Sequence, residues 1–181
     1  MDNAKEYLLL LRQEMRSKWN RVLPANELLS DRWEKADFLG FGEGSSIYDS
    51  CVVLGDVSVG KGVWIGPFTL LDGSGGLTIG DGCDISSGVQ IYTHDTVAKT
   101  LSEGEESIAN APTRIGEYCH IGAGSIILKG ISIEHHSVVG AGCVVTKSFP
   151  AYSIIAGVPG KKIGRVEKGE KVKLVHEDPE N

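Results

Sequence analysis

The chain has no apolar run of the length a bilayer requires; a stretch such as Leu8 to Leu11 falls far short of the roughly twenty residues needed, so no membrane span is expected. Its start, Met1-Asp2-Asn3, lacks the basic flank of a signal peptide, and the expected location is cytoplasmic. Positive charge is also in deficit: the formal net charge is −6, which argues against nucleic acid as the main partner. No Cys-x-x-Cys or paired Cys/His spacing suggests zinc, and no metal is expected. Glycine is scarce in residues 1–36 and abundant afterwards, so the two parts obey different local rules.

The second part has a period of six. Ile, Leu or Val stands at Val59, Ile65 and Leu71, at Ile79, Ile85 and Ile91, and at Ile115, Ile121, Ile127, Ile133, Val139 and Val145. These residue types make up about a quarter of the chain, so twelve hits in twelve positions is not a chance pattern. Six residues suit neither a helix nor an alternating strand. They suit a solenoid of short parallel strands, with the apolar residue inward and a tight corner after it, where Gly follows in half of the cases. Four residues after each apolar position comes a second, smaller inward residue, among them Val63, Thr69, Cys83, Val89, Cys119, Ser125, Ser137 and Cys143. Three hexads make a coil, and successive coils stack about 4.8 Å apart. The cysteines therefore read as small buried residues, Cys51 included if the frame reaches back to Ile47.

Two breaks interrupt the period: a turn-type insert at Asp72-Gly73-Ser74-Gly75-Gly76, and a longer one over residues 94–112. The expected organisation is an N-terminal helical cap (1–40), a β-helix (41–149) carrying the insert, and a C-terminal segment with a charged tail, mobile at its end (150–181). In the cap, Ala4, Leu8, Leu11, Met15, Trp19 and Val22 have helical spacing, and Leu28, Leu29 and Trp33 would form the apolar stripe of a second helix after Pro24. Such a cap covers the first coil; roles in acceptor choice or subunit packing are the other options.

Loops as long as the 94–112 insert are usually functional. This one opens with Tyr92-Thr93-His94-Asp95, and histidine is the side chain best suited to take a proton near neutral pH. His135 and His136 fall at a solvated corner, and His120 points outward on a coil wall. Between residues 146 and 173 lie seven Lys or Arg against two Glu; Lys147, Lys161 and Lys162 suit a small polyanion such as a cofactor phosphate.

The runs Ile115-Gly116-Glu117-Tyr118-Cys119-His120-Ile121-Gly122-Ala123-Gly124 and Val138-Val139-Gly140-Ala141-Gly142-Cys143-Val144-Val145-Thr146-Lys147 resemble the hexapeptide-repeat acyltransferases, as does Ala156-Gly157-Val158-Pro159-Gly160-Lys161-Lys162-Ile163. The resemblance, over about residues 47–166, is to the maltose and galactoside acetyltransferase branch and to O-acetyltransferases of surface polysaccharides. It implies a left-handed parallel β-helix, acetyl-CoA as donor, and a homotrimer with sites between subunits. His94 matches the place of the general base. Ala123 and Ala141 match positions along the pantetheine arm, and Thr146, Lys147 and Lys161 match positions near the nucleotide phosphates. Tyr92 and Asp95 are the expected substrate-binding residues. Two positions depart from the pattern: His120 stands where the family often has Trp, and the Asn that assists the base has no match between Phe68 and Asp72.

The expected function is acetyl transfer from acetyl-CoA to a sugar hydroxyl, in surface-polysaccharide or sugar modification. The alternative is N-acetylation of a nucleotide-linked amino sugar; a non-catalytic β-helix scaffold is more distant. A zinc hydratase of the gamma carbonic anhydrase kind needs two His five residues apart, which this chain lacks.

Overall fold

Every sixth side chain turns inward, and the fold follows from that. In a computed structural model describing residues 2–176, three helices lead into a parallel solenoid. The helices are α1 (Asp2–Trp19), α2 (Ala25–Leu29) and α3 (Arg32–Phe38). The strands that follow are β1 (Ser46–Ile47), β2 (Val52–Val59), β3 (Trp64–Ile65), β4 (Leu70–Ile79), β5 (Asp84–Ile85), β6 (Gln90–Ile91) and β7 (His94–Asp95). Helix α4 (Val97–Leu101) precedes β8 (Ala109–Asn110), β9 (Thr113–Ile115), β10 (His120–Ile121), β11 (Ile126–Ile127), β12 (Ser132–Ile133), β13 (Val138–Val139) and β14 (Val144–Val145). The chain continues with β15 (Ser153–Ala156), β16 (Lys161–Lys168) and β17 (Val172–His176).

The strands line three faces. Face one runs β1-β3-β5-β10-β13-β15. Its register places Ile47, Ile65, Ile85, Ile121, Val139 and Ile155 in one stack, each 0% exposed. Face two runs from the starts of β2 and β4 through β6, β11 and β14, with Leu71, Ile91, Ile127 and Val145 aligned. Face three joins the ends of β2 and β4 to β9 and β12. All twelve hexad residues are buried, and so is the second inward column. The four cysteines are buried and free; Cys51 and Cys83 donate to the carbonyls of Gly66 and Gly116, each at 3.0 Å.

Two expectations are corrected. The Asp72–Gly76 break is not a separate turn but an irregularity inside β4, which pairs with β2 up to Gly73 and again from Leu77, with three residues against Asp56 alone where the chain rounds a corner. The apolar stripe expected on the second helix does not form. Ser30 and Asp31 separate α2 from α3, and Asp31 caps α3 by accepting from the N–H groups of Trp33 and Glu34. Leu29 and Trp33 face outward; Ala36 enters the core instead, and polar groups anchor the helices. Buried Glu27 accepts from the Asp49 and Ser50 N–H groups and the Ser50 hydroxyl. The Lys35 ammonium donates to the carbonyls of Tyr48, Asp49 and Cys51, closing the first coil. Part of the charged C-terminal segment pairs as the antiparallel β16–β17 beside β15. The end expected to be mobile, residues 177–181, lies outside the described residues.

The stack makes a direct prediction. Ile121→Ala removes a fully buried side chain with coils on both sides, and the protein should lose about 2–5 kcal/mol of stability in urea unfolding. An unchanged midpoint would mean that the coils do not depend on this column.

Candidate active site

The corner that β4 turns buries a carboxylate. Asp72 is 0% exposed, on a chain whose buried side chains are otherwise nearly all uncharged. Five donors surround it. The Ser74 N–H and hydroxyl reach Oδ1 at 3.0 and 2.6 Å. The Thr93 N–H reaches Oδ2 at 2.9 Å, the Thr93 hydroxyl stands 3.2 Å from the same oxygen, and His94 Nδ1 reaches it at 2.6 Å. Thr93 is itself buried; its hydroxyl sits 2.8 Å from the Asp72 carbonyl and accepts from the Gly75 N–H at 2.7 Å. A Cβ on Gly75 would stand 2.5 Å from the Thr93 carbonyl oxygen, so this close approach of backbones requires glycine.

Burial opposes ionisation of Asp72, but the hydrogen bonds from Ser74, Thr93 and His94 outweigh it and hold the pKa well below the usual carboxylate range. An ionised Asp72 only accepts, so Nδ1 of His94 carries a proton. In the neutral ring the other nitrogen, Nε2, is then the one with a free lone pair. His94 keeps 30% of its side chain exposed, so a partly open imidazole is held in one orientation by a fully buried carboxylate. That pairing orients a proton acceptor.

The insert begins here. β7 pairs with β8 in antiparallel fashion, His94 opposite Asn110, and α4 lies between them. Asp95 accepts from the Val97 N–H at 3.0 Å and meets Lys129 Nζ at 3.3 Å. The Val97 bond lowers its pKa, with Lys129 adding to the effect. As placed, Asp95 fixes the insert to the next coil. Tyr92 is half-buried, and its hydroxyl donates to Gln90 at 2.7 Å.

The expected site residues fall on two edges of face two. β6, β11 and β14 pair in register, so the residues after them stack: Tyr92, Leu128 and Thr146, then Thr93, Lys129 and Lys147. His94, Thr146 and Lys147 thus share an edge, two coils apart, and Thr146 and Lys147 are exposed. Ala123 and Ala141 are also exposed and occupy the opposite edge, where the chain passes from face one to face two; the Gly142 N–H donates to the Ala123 carbonyl at 2.9 Å. Lys161 is exposed at the start of β16, opposite Ala156. His120 lies outward on face one, 3.7 Å from Asp84. His135 and His136 meet each other at 3.0 Å on a different corner.

Sequence reasoning missed Asp72, Ser74, Thr93 and Lys129. Asp72 ends the stretch from Phe68 where the resemblance implies an amide partner, and a carboxylate stands there instead. The available signal was an acidic residue directly after the inward Leu71, at a position the hexads often fill with glycine.

Comparison with known proteins adds the lineage. Residues 112–147 match the family model "Hexapeptide repeat of succinyl-transferase". The serine acetyltransferase of Bacillus subtilis (strain 168) is 32% identical over 124 residues, covering 67% of this chain and 54% of that protein. The serine acetyltransferase of Staphylococcus epidermidis (strain ATCC 12228 / FDA PCI 1200) is 36% identical over 104 residues, covering 58% and 47%. The chain thus spans about half the length of the curated relatives it matches. AntD, an N-acyltransferase from Bacillus cereus solved with dTDP and 3-hydroxybutyryl-CoA, is similar with a TM-score of 0.63 and 28% identity, over 69% of this chain and 71% of that one. These matches support the hexapeptide-repeat acyltransferase superfamily. A maltose O-acetyltransferase from Clostridium difficile 630 shares the fold over 92% of this chain and 86% of its own, with a TM-score of 0.54 and 24% identity. The parallel-strand solenoid agrees with the β-helix expected for that resemblance. No group of three or more His, Cys, Asp or Glu among the described residues could hold a metal ion, and no described helix is long and apolar enough to cross a membrane.

The Asp72 carboxylate generates a test. Its folded pKa lies below the unfolded value of about 3.9, so its stabilisation is complete above that pH and is lost as pH falls toward the folded value. Asp72→Asn should be less stable than the wild type at neutral pH, and the gap should narrow below about pH 4. Urea midpoints measured across that range decide it; a gap independent of pH would mean that the charge contributes nothing.

Proposed function

We propose that the protein is an acetyl-CoA-dependent acetyltransferase acting on a sugar hydroxyl, with His94 as general base and Asp72 as the residue that positions it. The observation carrying this reading is the 2.6 Å contact between buried Asp72 and half-open His94. A hydroxyl must lose its proton to become an effective nucleophile, and a neutral amine need not. A built-in proton acceptor therefore favours an oxygen acceptor. In this reading His94 Nε2 takes the hydroxyl proton as the acceptor oxygen attacks the thioester carbon. Asp72 stabilises the imidazolium that results, and the ring returns the proton to the departing thiolate of coenzyme A. Acetyl ester and free thiol are the products, and no metal is required. The buried cysteines are poorly placed to serve as nucleophiles.

The chain's residues suit an acyl-CoA donor. Ala123 and Ala141 leave an open backbone edge against which an extended amide arm can lie, and exposed Thr146, Lys147 and Lys161 supply groups for phosphates. Because His94 and the two alanines lie on opposite edges of one face, one chain does not bring them together. We therefore infer a homotrimer in which His94 of one copy faces the alanine edge of the next. The likeness to AntD, an N-acyltransferase in complex with dTDP, favours a second reading, transfer to the amine of a nucleotide-linked amino sugar. The protein is taken to work in the cytoplasm, in surface-polysaccharide or sugar modification.

His94→Ala separates the two acceptors. For a hydroxyl, turnover measured by thiol release should fall roughly 10²–10⁴-fold while acetyl-CoA binding stays as it was and the variant stays folded, with a melting temperature lowered by the lost bond to Asp72. The acid limb of the pH–rate profile should vanish with the base. A loss of less than about tenfold in a folded variant would remove His94 as the base and favour the amine.

Lys147→Ala and Lys161→Ala should each weaken coenzyme A binding by roughly 1.5–3 kcal/mol and reduce its salt dependence. Unchanged affinity in calorimetry would refute the phosphate assignment. Light scattering should give a trimer, and a stable monomer at micromolar concentration would dismantle the shared site.

A further inference from the structure

A cleft of about 320 Å³ lies away from His94, between α1, the start of α3 and the first coil. Its volume is at the lower end of small-ligand sites, which run from about 300 to 1,000 Å³. Two of the chain's three tryptophans line it, Trp19 and Trp33, and they remain 59% and 47% exposed. Tyr48 adds a third ring. Leaving two indoles open on one rim is costly in water and is characteristic of a surface that meets a partner.

The uncommitted charge of the lining has one sign. Lys18, Arg21 and Arg32 face the cleft on a chain whose net charge is −6, and none of the three makes an ion pair among the described residues. The two acids in the lining are already committed: Glu27 to the Asp49 and Ser50 N–H groups, Asp31 to the cap of α3. The Arg32 guanidinium lies 4.1 Å from the centre of the Trp33 ring and donates to the Tyr48 hydroxyl at 3.2 Å. Planar rings for stacking beside unpaired cations match a ligand that is itself a flat ring joined to phosphates.

We propose that this cleft binds a nucleoside diphosphate, the ring against Trp19 and Trp33 and the phosphates toward Lys18, Arg21 and Arg32. Its position suggests a use. Tyr48 follows inward Ile47 as Gly66, Ser86 and Gly122 follow Ile65, Ile85 and Ile121, and the N–H groups of Tyr48, Gly66 and Ser86 each bond the coil below. The cleft thus ends the edge that carries Ala123, three coils away, or about 14 Å at ~4.8 Å per coil. A nucleotide held here would place an attached sugar along the alanine edge. That use rests on the acyl-transfer reading above; binding in the cleft does not.

Fluorescence and calorimetry on the full chain, with UDP, dTDP, GDP and ADP as probes, test the proposal. At least one should quench tryptophan emission with a sub-millimolar dissociation constant. The exposed pair Lys18→Gln/Arg21→Gln should weaken binding at least tenfold without changing the melting temperature or the affinity for acetyl-CoA. Trp33→Leu should weaken binding and reduce the quench, and Trp33→Phe, which keeps a ring, should restore binding. His94→Ala should bind the nucleotide as the wild type does, so failure of the base and failure of the cleft are read separately. The absence of any binding at millimolar nucleotide would overturn the proposal. So would binding that survives Lys18→Gln/Arg21→Gln but disappears in Lys147→Ala/Lys161→Ala, because the probe would then be occupying the coenzyme's phosphate positions.

Discussion

Everything in this molecule depends on coils staying in register, and register is kept by side chains that can only point inward. A solenoid coil has no core of its own: Ile121 is buried because Ile85 lies on one side of it and Val139 on the other. Slipping by one residue would turn that column out to water and the small column with it. The same constraint makes the corners recur at a fixed azimuth, so any side chain placed just after a strand is repeated one coil further along. The surface is therefore a set of edges, and a site on it is a choice of edge and height.

The hexads were fully legible because burial is decided by period alone, and all twelve inward positions follow it. What the period could not reveal is what happens where it fails. The slip at Asp72–Gly76 has turn-like composition, three glycines in five residues. Yet β2 pairs with β4 on both sides of the slip, up to Gly73 and again from Leu77, and strand pairing across the coil overrides the local preference. The N-terminal helices were read through apolar spacing, whereas their attachment is polar: Glu27 and Lys35 hold the first coil through backbone groups that no sequence pattern marks. The charge of the tail gives no sign of its pairing, and an open strand edge at β15 recruits it as a hairpin.

His94 could be picked out because a histidine beginning a long insert stands out on spacing, and the resemblance then gave it a role to expect. Asp72 stayed hidden because its partner is 22 residues away in sequence and one coil away in space, and no single-chain pattern links the two. The aspartate also resolves the departure at the amide position. A carboxylate held ionised by Ser74 and Thr93 can fix the tautomer of the ring as well as its orientation, which an amide does with dipoles alone. The cost is a buried charge, and the glycines around it let enough N–H groups converge to offset that cost.

The four unpaired thiols have a consequence of another kind. Cys51, Cys83, Cys119 and Cys143 are distributed along the rod at different heights, each shut inside. Burial pushes the Cys51 and Cys143 thiols up, away from the reactive thiolate. A chain built this way carries its own depth gauge. Opening from the helical end uncovers Cys51 first and opening from the hairpin end uncovers Cys143, so the order in which sulfur becomes accessible records the direction in which the rod unravels.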